Sequence, residues 1–311
     1  MEWQRKDLLG LENVTKEEIL FIIETAKVMK GILLRPIKKL PTLKGRSIVH
    51  LFYEASTRTR TSFEMACKVL GADTSSIAVA QSSVSKGESL LDTARTLQAM
   101  QTDLVVIRHA SSGAAQFLAD NLKAGVINAG DGQHEHPTQA LLDIYSMLEQ
   151  WEDLEGKKIL IVGDVLHSRV ARSNVWALNK LGAEVTLVGP PTLLPPELSV
   201  LGVKMTHSLD EALPGADAVM ALRLQLERQE KGLFPTLREY SQLYCLTGER
   251  MKKTGKKTLV MHPGPLNRGI EISSDVADSA ASLVERQVTN GVAVRMALIY
   301  LLTGGSGNVV A

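Results

Sequence analysis

Short apolar runs alternate with helix-patterned segments along most of this chain, and that alternation restricts the folds it can adopt. Ile48–Tyr53, Thr74–Val79, Asp103–Ile107, Val126–Ala129, Ile159–Asp164, Glu184–Val188, Ala216–Leu222 and Thr258–Met261 read as buried strands. Between several of them apolar residues recur at helical spacing, as in 61–70, 114–121, 137–147 and 170–181. Strand–helix alternation of this kind builds parallel sheets covered by helices. With 311 residues, the chain exceeds what one core usually organises, and two domains are expected. The polar stretch Trp151–Lys158 marks the boundary between them, so residues 1–150 form one domain and 151–282 the other. The last helix, about Ala281 to Leu302, is long enough to return to the first domain, which residues 283–311 would complete. The fold class is α/β, with two Rossmann-like domains and mainly parallel sheets.

Other elements carry local signals. Thr15 followed by Glu18 forms a capping-box pattern for a helix running to about Met29. Pro190, Pro191, Pro195 and Pro196 make a stiff connection. Cys67 and Cys245, the only cysteines, both fall in expected helices, away from any metal-ligand spacing, and read as core residues of a reducing compartment. The net charge is +1, which steers the chain to neither nucleic acid nor an anionic membrane, so any positive potential is local. The amino terminus has no apolar signal-peptide core, and no segment approaches the about 18 apolar residues of a membrane span. A cytoplasmic protein is expected.

Polar groups gather where strands end. Ser56-Thr57-Arg58-Thr59-Arg60 stands where the first strand turns into a helix, and the first N–H groups of a helix have no partners within it. Two readings fit: a Ser/Thr N-cap with solvated arginines, or a site where hydroxyls, N–H groups and a guanidinium converge on an anion. Arg108 ends the third strand and Arg223 a later one, at the carboxyl edge where ligands bind in open α/β sheets. His136 precedes a helix that starts at Pro137 and carries Gln139 in its first turn, which suits hydrogen bonding. The two histidines and two carboxylates of residues 131–136 match no HExxH or Cys/His pattern, so no metal is expected. The serine-rich loop Gln81–Ser89 is either a solvated connection or a mobile arm that carries Ser82 and Lys86 to an anion. After Gly163 the second and third glycines of a dinucleotide fingerprint are missing, and Arg169 enters the next helix as another anion candidate. There is no P-loop either.

Taken in order, these motifs resemble the catalytic chains of aspartate carbamoyltransferases from end to end. The residues that carry the likeness are Ser-Thr-Arg-Thr-Arg at 56–60, Ser82 with Lys86-Gly-Glu-Ser, Arg108-His, His136-Pro-Thr-Gln139, Gly163-Asp with Ser-Arg169, Arg223-Leu-Gln225 with Glu-Arg228, and His262-Pro-Gly-Pro-Leu-Asn-Arg-Gly. The resemblance implies transfer of a carbamoyl group from carbamoyl phosphate to L-aspartate, in the second step of de novo pyrimidine synthesis, with no cofactor. It implies that Ser56, Thr57, Arg58, Thr59 and Arg108 bind the phosphate. Thr59, Arg108 and His136 would surround the carbonyl oxygen, and Gln139 would hold the amide. Ser82 and Lys86 would enter from the neighbouring subunit of a homotrimer. Arg169 would bind the α-carboxylate of aspartate, Arg223 with Gln225 its side-chain carboxylate, and backbone atoms around Gly264 and Pro265 would orient the amine. The catalytic set is then Arg58, Thr59, Lys86, Arg108 and His136. Gly264 replaces the leucine of enterobacterial-type chains. The resemblance also admits a regulatory chain or a dihydroorotase as partner.

Three other readings compete with this one. Ornithine carbamoyltransferases share the phosphate motif, but Arg223 and Arg228 would repel a cationic substrate, and such chains resemble His-Cys-Leu-Pro where this one has His-Pro-Gly-Pro. A non-catalytic binding subunit would be expected to lose Arg58, Lys86 or His136, and all three are present. A dinucleotide oxidoreductase is disfavoured by the missing glycines.

Overall fold

The structure, a computed structural model, describes residues 2–78, 87–225 and 236–305. The chain separates into two compact units. One holds the residues up to Leu142 together with those from Thr289 onward, and the other is Asp143–Val288.

The first unit opens with α1 (Lys16–Leu33), capped as its sequence foretells. The Thr15 hydroxyl accepts the Glu18 N–H, and the Glu18 carboxylate accepts the Thr15 N–H at 2.7 Å. The helix outruns the expected end at Met29, passing through Gly31, because Ile32 is still buried and no proline occurs before Pro36. There follow β1 (Ser47–Phe52), α2 (Thr57–Leu70), β2 (Asp73–Ala78), α3 (Leu90–Ala99), β3 (Leu104–His109), α4 (Ala114–Asn121), β4 (Gly125–Asp131) and α5 (Pro137–Leu148). The four strands form a parallel sheet in the order β2-β1-β3-β4. Val105, Val106, Val126 and Ile127 are fully buried, as strands covered on both faces require.

The second unit repeats the scheme: β5 (Lys158–Val162), α6 (Arg169–Lys180), β6 (Glu184–Val188), β7 (Lys204–Thr206), α7 (Leu209–Ala212), β8 (Ala218–Ala221), α8 (Leu237–Tyr244), α9 (Gly248–Lys252), β9 (Leu259–Met261), α10 (Ser274–Ala277) and α11 (Val284–Leu302). Its sheet is parallel throughout, in the order β7-β6-β5-β8-β9. The units divide inside two helices, since α5 and α11 each run across a boundary. Cys67 lies in α2, but Cys245 lies outside a helix. It follows the last turn of α8 in extended conformation because the next residue, Leu246, donates its N–H to Glu271 O. Both cysteines are buried and free, as core thiols.

Among the described residues no helix is long and apolar enough to cross a membrane.

Candidate active site

In each unit the strand order reverses beside the first strand. β1 has β2 on one side and β3 on the other, and β5 likewise stands between β6 and β8. The crevice at such a switch point, outside the carboxyl ends of the strands, is where open α/β sheets hold ligands.

In the first unit, α2 begins at this point. Ser56 occupies its N-cap position, yet the Ser56 side chain makes no capping bond, and the first turn holds no acidic residue. The helix start therefore keeps its N–H donors and the positive end of its dipole for something other than its own cap. Of the two readings of 56–60, the serine cap finds no hydrogen bond to support it. Thr57 and Arg58 are exposed, Thr59 is buried, and Ser56 is half-buried. Arg108 stands opposite Phe52 in the β1–β3 register, so it ends its strand beside the turn that leads to α2. Its Nη1 donates to Ala129 O at 3.2 Å, and its Nε lies 3.3 Å from the Glu54 carboxylate as an ion pair. His136 is buried directly before α5, and Gln139 donates its backbone N–H to His136 O at 3.0 Å. Ser56, Thr57, Arg58, Thr59, Arg108, His136 and Gln139 thus belong to the carboxyl edge of one sheet. Ser82 and Lys86 lie outside the described residues.

The carboxylates near His136 are occupied by the fold. Glu135 accepts the Leu11 N–H at 2.8 Å and the Glu12 N–H at 3.3 Å, pinning the amino-terminal segment. Asp131 takes the Gly113 N–H at 2.7 Å and the Asn128 amide at 2.7 Å. Burial pushes the Asp131 carboxyl up, but hydrogen bonds from His134, Asn128 and Gly113 outweigh it and hold the group below its usual value. These groups shape the turn that presents His136.

Beneath α2 runs an oriented chain of hydrogen bonds. Ser76 Oγ donates to Glu64 at 2.6 Å, so it is left to accept from His50 Nδ1 at 3.4 Å. That tautomer makes His50 Nε2 the acceptor facing the Cys67 thiol at 3.6 Å. Burial drives the Cys67 thiol up to about 12 and the His50 imidazole down to about 4, so both are neutral and neither is an activated nucleophile or base. The chain ties α2 to β1 and β2. It also costs stability in acid. His50 binds its proton near 6.5 when unfolded but only near 4 when folded, so stability is lost as pH falls through that window. The loss should reach about 3 kcal/mol at most. Urea midpoints measured from pH 7 to pH 4.5 are expected to decline, and less steeply for His50→Asn; equal slopes would refute the assignment.

In the second unit, α6 starts with Arg169, 3% exposed, behind an N-cap Ser168 that accepts the Ala171 N–H. The turn before it is braced by buried Asp164, which pairs with His167 Nδ1 at 2.8 Å and accepts the His167 N–H at 3.2 Å. Gln225 Nε2 donates to His167 O at 3.2 Å, which joins the segment after β8 to the turn before α6. Val162 pairs with Ala221 in the β5–β8 register, so Arg223, two residues past β8, follows the strand adjacent to the one that leads to Arg169. After β9, Gly264 adopts φ +62° and the Gly264–Pro265 peptide is cis. Arg169, Arg223, Gln225, Gly264 and Pro265 therefore share the carboxyl edge of the second sheet. Arg228 lies outside the described residues. Gly163 has a φ of +127°, and a Cβ there would stand 2.6 Å from the Tyr240 hydroxyl.

Two α/β units, each with cationic groups at its switch point, define an α/β protein with two candidate anion sites. A family model described as the aspartate/ornithine carbamoyltransferase, carbamoyl-P binding domain matches residues 6–149. The corresponding Asp/Orn binding domain matches residues 155–302. The chain is 71% identical over 305 residues to the aspartate carbamoyltransferase catalytic subunit of Desulfitobacterium hafniense, covering 98% of both chains. It is also similar to the solved aspartate transcarbamoylase of Trypanosoma cruzi in complex with carbamoyl aspartate and phosphate, at 30% identity and a TM-score of 0.86 over 96% of both chains. The ornithine carbamoyltransferase of Pyrococcus furiosus reaches the same TM-score of 0.86 at 29% identity, over 98% of this chain and 99% of that one. The chain belongs to the aspartate/ornithine carbamoyltransferase family.

Proposed function

We propose that the chain transfers the carbamoyl group of carbamoyl phosphate to the amino group of L-aspartate, giving N-carbamoyl-L-aspartate and phosphate. The observation that carries the reading is the start of α2, where Ser56 leaves the helix uncapped beside Arg108. In this reading the first unit binds carbamoyl phosphate. Its phosphate sits against Ser56, Thr57, Arg58, Thr59 and Arg108, where helix N–H groups and a guanidinium fork match its oxygens. Ser82 and Lys86 reach the same anion from a neighbouring subunit of a homotrimer. The second unit binds aspartate, with Arg169 on the α-carboxylate, Arg223 and Gln225 on the side-chain carboxylate, and the backbone at Gly264 and Pro265 toward the amine.

The neutral amine attacks the carbamoyl carbon. A C–N bond forms, and charge moves onto the carbonyl oxygen, where Thr59, Arg108 and His136 donate to it. Such donors are worth a few kcal/mol each. Gln139 holds the carbamoyl nitrogen. The C–O bond to phosphate then breaks, and the departing phosphate takes the proton that the amine loses. Holding both substrates in attack geometry supplies much of the remaining rate.

Aspartate is favoured over ornithine by the half-buried guanidinium of Arg223, since a cationic side chain brought there would meet like charge with little water to screen it. The 71% identical relative from Desulfitobacterium hafniense, an aspartate carbamoyltransferase catalytic subunit, supports the same choice. Assayed with carbamoyl phosphate, the protein is expected to carbamoylate L-aspartate and to leave L-ornithine unchanged. Turnover with ornithine alone would mean that Arg223 does not face the acceptor.

A further inference from the structure

A buried polar network in the second unit has no part in the chemistry just described. Asp143, in α5, is fully buried, and both of its oxygens are used. Oδ2 accepts Asn174 Nδ2 of α6 at 2.9 Å, and Oδ1 accepts Gln287 Nε2 of α11 at 2.7 Å. With its NH2 committed, Gln287 presents Oε1 to the His262 N–H at 3.1 Å. The His262 ring continues the chain. Its Nδ1 accepts the Gly264 N–H at 2.7 Å, so the proton sits on Nε2 and is donated to Glu271 at 3.1 Å. The same Glu271 oxygen accepts the Asn267 N–H at 2.5 Å. Asp143, Asn174, Gln287, His262 and Glu271 are each no more than 3% exposed.

Burying so many polar groups is a poor way to gain stability, because packed apolar side chains of similar volume serve as well or better. What the network adds is direction: Asn174 Nδ2 is shared between Asp143 and Val170 O, while the Gln287 amide and the His262 ring each donate to one acceptor. At one end stands α6, which begins with Arg169, and at the other the turn of Gly264 and Pro265. We propose that Asp143 is a positioning residue for the amino-acid substrate, holding Arg169's helix and the Gly264–Pro265 turn in one hydrogen-bonded frame. The proposal rests on the assignment of aspartate to this unit.

Asp143→Asn tests it, because the new amide must either face its NH2 to the NH2 of Asn174 or Gln287, or turn the Asn174 amide round and take Nδ2 off Val170 O, so that one hydrogen bond is lost in each case. The variant is expected to raise KM for L-aspartate about tenfold, the equivalent of one lost hydrogen bond, and to leave the half-saturating concentration of carbamoyl phosphate within about twofold. Hydrogen exchange at Gly264 and Asn267 should quicken by a similar factor. The double variant D143N/Q287E restores every pairing with one bond reversed, since the amide at position 143 then donates to the carboxylate at position 287. It should bring both readouts back to within about threefold of wild type. If Asp143→Asn does not fold, Gln287→Met carries the same expectations. A lowered melting temperature with unchanged KM and exchange, or a double variant without recovery, would overturn the proposal. Exchange needs no turnover, so it judges the frame even if the protein is inert toward aspartate, a result that would instead defeat the functional reading.

Discussion

Arg108→Ala is expected to cut kcat by about a thousandfold or more, the largest loss of any single change in the described site. One donor removed from a developing oxyanion costs about a hundred- to a thousandfold, and this side chain is also assigned to the phosphate. Its position leaves little slack. The register with Phe52, the hydrogen bond to Ala129 O and the ion pair with Glu54 keep the guanidinium at this place. Arg108→Lys should recover only a small part, since an ammonium restores charge but not the fork. Steady-state kinetics on protein whose melting curve matches wild type would measure this. A loss below about tenfold would remove Arg108 from the reaction.

Mixing two inactive variants should create activity. Arg58→Ala and Lys86→Ala are each expected to be nearly inert, because one removes the guanidinium at the helix start and the other the lysine assigned to the neighbouring subunit. If sites form between subunits of a homotrimer, dissociation and reassociation of an equal mixture gives about a quarter of the sites both intact residues. Activity should rise from near zero to about that fraction of wild type. A mixture as inert as its parents would place each site within one chain.

Much of this organisation was legible in the sequence because parallel strands are buried on both faces and are read as apolar runs. Arg108 and Arg223 stood out where those runs stop, and Ser56–Arg60 where a strand gives way to a helix. β7 was not legible. Lys204–Thr206 is half-exposed at a sheet edge and has no apolar run to betray it. The spacing of Asp131 and Glu135 argued against a metal, but the backbone N–H groups they accept were not legible. Gly163 stood out only for the glycines missing after it; Tyr240, which comes against it from far along the chain, left no signal. Asp143 left one signal, a lone carboxylate between Leu142 and Ile144 in an apolar helix. Its partner Gln287 is 144 positions away, and only folding brings them together.

The reversal of strand order beside both β1 and β5 means that one construction has been used twice. In each unit a central strand gives way to a helix with an arginine in its first turn, Arg58 in one and Arg169 in the other. The division of labour is therefore modular. A lineage built this way can exchange its acceptor amino acid by rewriting loops over the second sheet, while the donor's cradle over the first stays as it is. A family whose first domain is described by a single ligand and whose second by two, aspartate or ornithine, is what such a construction allows.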